Sequence, residues 1–340
     1  MCVSVVMTVY NGERFLAEAV ESVLNQSLSE LELIVVDDGS TDSSPQILDA
    51  YARRDARVKV FRQDHRGVSA AANAGMRQAT YDLIARSDSD DRMLPHRLER
   101  QVAFLKLHPE VDVACSPCYF INTAGKRIGA SSCRVDLERG KRELKPAYFV
   151  NLTQSTVLMK KDAFFKVGGY REDIDFAEDR DLWGRLVTAG YTIACQQEFL
   201  AEYRLHSGAM TMKRAALQQE LCYYIDENVK RRLRRQAELS LNAFRALRRH
   251  EPLSRRLRDN LDFLAVHAFK RASRHYGERQ YVRCALSFAA AVLLNPIGIV
   301  GRALDRVRNH QRGAAVLTRP SLTTRLQPEL QTPHAGQGNE

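Results

Sequence analysis

Apolar positions recur with two alternating periods over the first 120 residues. The β-branched runs "VSVVMT" (3–8), "LELIVVDD" (31–38), "RVKVFRQ" (57–63) and "DLIA" (82–85) have the length and composition of buried strands. Helical patterns separate them. In "ERFLAEAVESVLNQS" the apolar Phe15, Leu16, Ala19, Val20, Val23 and Leu24 share one face of a 3.6-residue period. "SSPQILDAYARR" (43–54), "GVSAAANAGMRQA" (67–79) and "PHRLERQVAFLKLH" (95–108) follow suit, the last with Pro95 in the first helical turn. Strands alternating with such helices predict an α/β fold built on a doubly wound, mostly parallel sheet. In such sheets ligands bind beyond the carboxyl ends of the strands. A polar cluster follows each strand here, "TVYN", "DDGSTD", "DHRG" and "DSDD" in turn, so all four are expected to face one cleft.

Beyond residue 118 the pattern loosens. "CYFINTAGKRIG" (118–129) predicts a hairpin across "TAGK", and "STVLMKK" (155–161) a strand. "AEDRDLWGRLVTAG" (177–190) predicts a helix ending at Gly190, and "FLAEYRLH" (199–206) a closing strand. From residue 207 strand-like alternation ceases in favour of Arg-rich amphipathic helices, "KRRLRRQAELSLNAFRALRRH" and "LSRRLRDNLDFLAVHAFKRASRHY". The expected organisation is an α/β domain over 1–206 and a basic α-helical C-terminal extension over 207–312. The Thr-, Pro-, Gln- and Gly-rich tail over 313–340 has the composition of a disordered segment.

With 44% hydrophobic and 27% charged residues, the 340-residue chain has globular composition and enough length for a substantial core. The start "MCVSVVMTVYNGE" lacks the basic and long apolar segments of a signal peptide, which predicts a cytoplasmic protein. Seven scattered cysteines suit reduced thiols, and the one CxxC, Cys115 and Cys118, reads as buried strand and turn residues rather than half a zinc site. The net charge of +10 is unevenly spread: residues 1–206 hold 27 Lys and Arg against 30 Asp and Glu, residues 207–340 hold 24 against 11. A basic helical segment followed by an uncharged stretch of about 18 residues, interrupted at Asn295 and Pro296, suits peripheral docking on the anionic inner face of a membrane. A charged bundle packed on the α/β domain or on another subunit is the alternative.

The clusters permit specific chemistry. Asp88, Asp90 and Asp91, crowded after a buried strand, repel one another unless a cation intervenes, and hard oxygen donors of this kind suit Mg²⁺ or Mn²⁺. A solvated acidic turn is the competing explanation. "DDGSTD" can bind the edge of a base or ribose, or serve only as a helix-capping turn. "TVYN" offers Thr8 as a hydrogen-bonding group and Tyr10 as a ring to stack on a base, or merely ends a strand.

The segments "VSVVMTVYNGERFLAEAVESVLNQSLSELELIVVDDGSTDSS", "ANAGM", "DLIARSDSDDRMLPHRLERQVAFL", "STVLMKKDAFFKVGGY", "AEDRDLWGRLVTAG" and "YRLH" together resemble the family 2 glycosyltransferases of the GT-A fold. The resemblance covers about residues 2–206. It implies inverting transfer of a sugar from a nucleoside-diphosphate donor, such as a UDP-sugar, to a hydroxyl, with a divalent cation. Its products would be cell-surface polysaccharide or lipid-linked glycans, and the acceptor a glycan or a lipid-linked carrier. By the same resemblance Thr8, Tyr10 and Asp38 hold the base. Asp88 and Asp90 form the DxD motif, the first toward the ribose and the second toward the metal, with Asp91 a further ligand. Asp179 is the catalytic base, Glu178 and Trp183 shape the acceptor side, and Arg204 and His206 close over the diphosphate. The chain departs from the family at Ala72, where Arg is frequent, and at Tyr81, where Gly is frequent.

A carboxylate opening a helix can equally be there for the helix dipole alone. Two rival functions remain on the sequence. A nucleotidyltransferase would need a Gly-rich basic loop after the first strand, which "TVYNGERF" is not. A nucleic-acid-binding protein would use the basic C-terminal helices, but aromatic residues interleaved with Arg are sparse there, so no nucleic acid is expected.

Overall fold

Val3–Val9 (β1) is apolar toward both sides, a pattern that only a central strand covered on both faces can satisfy. The computed structural model, which describes residues 1–131, 152–206, 208, 214–301 and 303–304, places it there. Leu31–Asp37 (β2) and Leu83–Asp88 (β4) flank β1 in parallel, and Val58–Arg62 (β3) lies parallel outside β2. Beyond β4 come Leu158–Lys160 (β9), antiparallel to both neighbours, then Val113–Cys115 (β6) and Ile193–Cys195 (β10), giving the order β10-β6-β9-β4-β1-β2-β3. Alternation along the strands feeds two cores. Val5 and Leu33 face Glu13–Leu24 (α1), Ser44–Arg54 (α2) and Arg97–Leu107 (α4). Val6 and Ile34 face Val68–Gln78 (α3), Lys161–Lys166 (α5) and Glu178–Thr188 (α6).

A smaller sheet was not foreseen. Arg92–Met93 (β5) directly follows the acidic triplet and pairs antiparallel with Ala201–Arg204 (β11). That strand pairs parallel with Cys118–Ile121 (β7), which forms the expected hairpin with Arg127–Ala130 (β8). Strands of two or three residues, β5, β6 and β10, are too short to show alternation, which is why the pattern missed them. The helix predicted from Pro95 begins at Arg97. Cys115 and Cys118 are buried strand ends whose thiols burial pushes up to about 12 and about 11. Cys2, Cys118, Cys222 and Cys284 are free thiols, but Cys195 is disulfide-bonded, which overturns the expectation of seven reduced thiols. It ends the edge strand of the large sheet.

The described residues from 214 onward are helical as expected, whereas the tail over 313–340 lies outside the described residues. Ala215–Leu233 (α7) and Leu241–Arg249 (α8) pack on the α/β domain around Ile174, Ala177, Tyr224, Ile225 and Phe244. Leu253–Gly277 (α9) and Tyr281–Leu294 (α10) pack mainly on each other. Gly184 lets α7 approach α6 so closely that an added Cβ would stand 2.6 Å from Val229 Cγ2. Arg180 then clamps the two helices with paired bonds of 2.7 and 2.8 Å to Asp226. Gly184→Val is expected to lower stability by about 1–3 kcal/mol through overpacking. A fall in the urea midpoint with far-UV circular dichroism retained would show it.

Candidate active site

The loops after β1 and β2 are built as a unit. The amides of Asn11, Gly12 and Glu13 donate to Ser40 Oγ (2.9 Å), Ser44 Oγ (3.0 Å) and Asp42 Oδ2 (3.0 Å). In return Asn11 Oδ1 and Glu13 Oε2 accept the amides of Thr41 (2.8 Å) and Ser43 (2.9 Å). The orphan donors at the start of α1 are thus satisfied by residues leading into α2, and the reverse holds as well. Asn11 adopts φ 51°, a left-handed conformation Asn tolerates, to make the exchange.

Asp38 turns inward. Oδ1 accepts from Gln63 Nε2 (2.7 Å) and the Arg66 amide (2.9 Å), and Oδ2 accepts from the Gly67 amide (2.9 Å) and lies 2.8 Å from His65 Nδ1. Buried, it organises the loop after β3. The result is a stacked pair: the His65 ring lies 3.9 Å from that of Tyr10, with 19° between planes. Tyr10 remains exposed, and Thr8 stands in register beside Asp88.

At the end of β4 the three aspartates diverge. Asp88 and Asp90 are partly exposed, whereas Asp91 is buried. Asp91 Oδ1 accepts the Arg204 amide (2.8 Å) and its Oδ2 lies 2.5 Å from Ser155 Oγ, which also donates to Asp88 Oδ2 (2.7 Å). A hydroxyl has one proton to give. Burial, together with the charges of Asp90 and Asp88, holds Asp91 well above the usual carboxylate range, and the one Ser155 hydroxyl is shared between Asp91 and Asp88. Asp91, expected as a further metal ligand, is buried and tied to Ser155 and to the backbone of Arg204. Asp88 is itself raised by burial, an effect the Arg86 guanidinium opposes from 3.4 Å.

Asp90 Oδ2 meets His206 Nε2 at 2.8 Å. Arg204, which was expected at the diphosphate, is buried and committed elsewhere. Its Nε donates to the Asp90 carbonyl (2.8 Å), Nη2 to Glu18 (2.7 Å) and Nη1 to the Asn122 carbonyl (3.2 Å), and its face lies 4.4 Å above the Phe15 ring. It fixes the backbone that carries Asp90.

At the start of α6, Asp179 Oδ1 accepts the Arg180 amide at 2.6 Å. Burial pushes the Asp179 carboxyl up to about 6 against that bond, with a further contribution from the charge of Asp88, so the two acidic clusters share one field. Glu178 is more deeply buried, and burial with the Asp179 charge lifts it to about 8. Both carboxyls are thus held above their ordinary range, Glu178 further than Asp179. Trp183, expected beside them on the acceptor side, is instead wholly buried in the core between the sheet and α6. Ala72 is buried too.

Four contributors escaped the sequence: His65, Ser155, Arg97 and Tyr170. His65 lay within the noted "DHRG" cluster, but its stack on Tyr10 spans two loops. Ser155 meets Asp88 only across 67 positions of chain. Buried Arg97, lowered to about 9 by burial, feels the charges of Asp88 and Asp91. The buried Tyr170 hydroxyl has no hydrogen-bond partner among the described residues, and the charges of Arg86, Glu178, Asp179 and Asp88 all reach it.

Residues 4–167 match the family model described as Glycosyl transferase family 2. The chain is 36% identical over 211 residues to the putative glycosyltransferase EpsE of Bacillus subtilis, covering 61% of this chain and 74% of the relative. It is 29% identical over 234 residues to the O-antigen biosynthesis glycosyltransferase WbnJ of Escherichia coli, covering 68% of this chain and 90% of the relative. In fold it resembles S. aureus TarS 1–349 solved in complex with UDP, with a TM-score of 0.53 at 17% identity over 88% of this chain and 92% of that one. The mannosyltransferase PcManGT from Pyrobaculum calidifontis, solved with GDP-Man and Mn²⁺, gives a TM-score of 0.53 at 17% identity over 89% and 79%.

Because the folded pKa of Glu178 lies above its ordinary value, the fold penalises the ionised form, and stability falls as pH rises from the ordinary glutamate range through about 8. Glu178→Gln is expected to match the wild type in acid and to exceed it by a few kcal/mol, to order of magnitude, above that pH. Urea unfolding at acid and alkaline pH would measure the difference.

Proposed function

The chain belongs to glycosyl transferase family 2 and is a glycosyltransferase, and from that premise we propose that it moves a hexosyl group from a nucleoside-diphosphate donor, a UDP-sugar, to a hydroxyl with inversion at the anomeric carbon. The observation that carries this reading is the pairing of two kinds of carboxylate within one electrostatic field. Asp88 and Asp90 end β4, and Asp179, ionisable near neutrality, opens α6.

In this reading Asp179 takes the proton of the acceptor hydroxyl as its oxygen attacks the anomeric carbon, the task of a general base with a pKa near the working pH. Glu178, neutral beside it, adds no competing charge. Tyr10, held against His65 on one side, offers its other face to the base, with Thr8 at the strand end and Asp88 toward the ribose. Asp90 and His206, oxygen and nitrogen donors side by side and partly exposed, fit a divalent cation, which would also offset the Asp90 charge that, after burial, raises Asp88. Bound there, Mg²⁺ or Mn²⁺ would supply Lewis-acid stabilisation of the departing diphosphate. In this reading His206 also faces that diphosphate, and Arg204 serves by holding the Asp90 backbone.

The relative WbnJ acts in O-antigen biosynthesis, and by that likeness the product is a cell-surface polysaccharide or lipid-linked glycan. TarS with UDP and PcManGT with GDP-Man and Mn²⁺ exemplify the donor and metal class. Nucleotidyl transfer finds no support. The amides of residues 11–13, which a triphosphate-binding loop would present, are already taken by Ser40, Ser44 and Asp42.

Asp179→Asn is expected to lower kcat by about 10²–10⁴ with donor binding largely kept. Wild-type kcat/KM should rise with pH through about 6 as Asp179 loses its proton. Near-normal turnover of the Asn variant would exclude the assignment. For Asp90→Ala the expected outcome is loss of Mn²⁺-dependent donor binding, measured by titration calorimetry with a panel of nucleotide sugars.

A further inference from the structure

The α9–α10 hairpin leaves in solvent what the rest of the chain buries. On α9, Leu253, Leu257, Leu261 and Leu264 recur at helical spacing on one face, and all are exposed. On α10, whose one charged residue is Arg283, the exposed Val282, Leu286 and Leu293 continue the pattern, and Ile297 extends it past the break at Asn295 and Pro296. Leu293 and Ile297 are 85% and 88% exposed, values that nothing in the fold compensates. A groove of about 410 Å³ joins the two helices, with Leu257, Leu261, Leu294 and Pro296 along it and Arg258 at its side. An apolar surface this continuous has a partner.

Charge identifies the kind of partner. Residues 253–304 hold nine Lys and Arg against three Asp and Glu. Helical spacing sets Arg256 and Arg258 on the two flanks of the leucine stripe, and Arg271 prolongs its line. The two acidic residues of α9 turn inward: Asp259 pairs with Arg248 at 2.6 Å, and Asp262 accepts from Asn295 Nδ2 at 2.8 Å. A second copy would set arginines against arginines, whereas anionic headgroups complement them. Among the described residues no helix is long and apolar enough to cross a membrane, so the hairpin lies on a bilayer, not through it.

We propose that the α9–α10 hairpin docks this protein on an anionic lipid bilayer, its leucine-rich faces in the interface and its arginines at the headgroups. The hairpin is fastened to the small sheet. Asn122 Nδ2 donates to the Gly277 carbonyl (2.8 Å), and the Asn122 carbonyl accepts from Arg204, the residue that fixes Asp90. Docking would therefore hold the cleft at a set height above the lipid.

The test is flotation of the full chain with vesicles of phosphatidylcholine alone or mixed equally with phosphatidylglycerol, and it does not depend on the assigned reaction. The protein should float with the mixed vesicles, remain free of phosphatidylcholine alone and be released by salt. Leu293→Glu with Ile297→Glu should weaken flotation about tenfold or more. Arg256→Glu with Arg258→Glu should remove the preference for anionic lipid. All four positions are exposed, and unchanged circular dichroism would verify folding. Failure of the wild type to float with the mixed vesicles would overturn the proposal, as would flotation indifferent to both variants. A wild-type dimer that Leu293→Glu with Ile297→Glu renders monomeric, without vesicle binding, would assign the face to a second copy instead.

Discussion

Three carboxylates can crowd the end of β4 because two guanidiniums are buried beside them. Arg86 donates to the Val6 carbonyl (2.7 Å) and faces Asp88, and Arg97 donates to the carbonyls of Arg86 (3.2 Å) and Val157 (2.9 Å). Buried ions are costly unless paired and hydrogen-bonded, and here each guanidinium meets carbonyls as well as the acidic field. The same bonds stitch β1 to β4 and to the segment leading into β9. Charge balance at the site and cohesion of the sheet are thus one set of interactions.

Around that foundation the polar residues divide by exposure. Asp38, Asp91 and Arg204 are buried and shape loops, and Asp88, Asp90, His206 and Tyr10 are left partly open toward the cleft. The buried group holds the open group still. Asp38 sets the loop that carries His65 to Tyr10, Ser155 and Asp91 steady Asp88, and Arg204 steadies Asp90. Such support by a second layer of hydrogen bonds is what gives reacting groups fixed geometry.

The C-terminal helices serve two ends. The pair α7–α8 belongs to the α/β domain in packing, because it covers Ile174 and Ala177 and clamps Arg180 next to Asp179. The pair α9–α10 packs on itself and carries most of the uncovered apolar surface. Two segments of similar composition therefore have different roles, and contact partners rather than residue content distinguish them.

The sequence by itself determined the parallel α/β core and the order of its loops, and singled out "DSDD" and "AEDRD" as candidate centres, because periodicity and strand-end position are local properties of a chain. Only the tertiary structure decided which side chains face the cleft. Asp91, Asp38, Arg204 and Trp183 match motifs by position, yet they point inward, since orientation depends on partners more than a hundred residues away in the case of Arg204 and Asp91. The short strands β5, β6 and β10 likewise exist only through pairing with distant segments. Periodicity is written in neighbours, but burial is written in contacts, and contacts form only when the chain closes on itself.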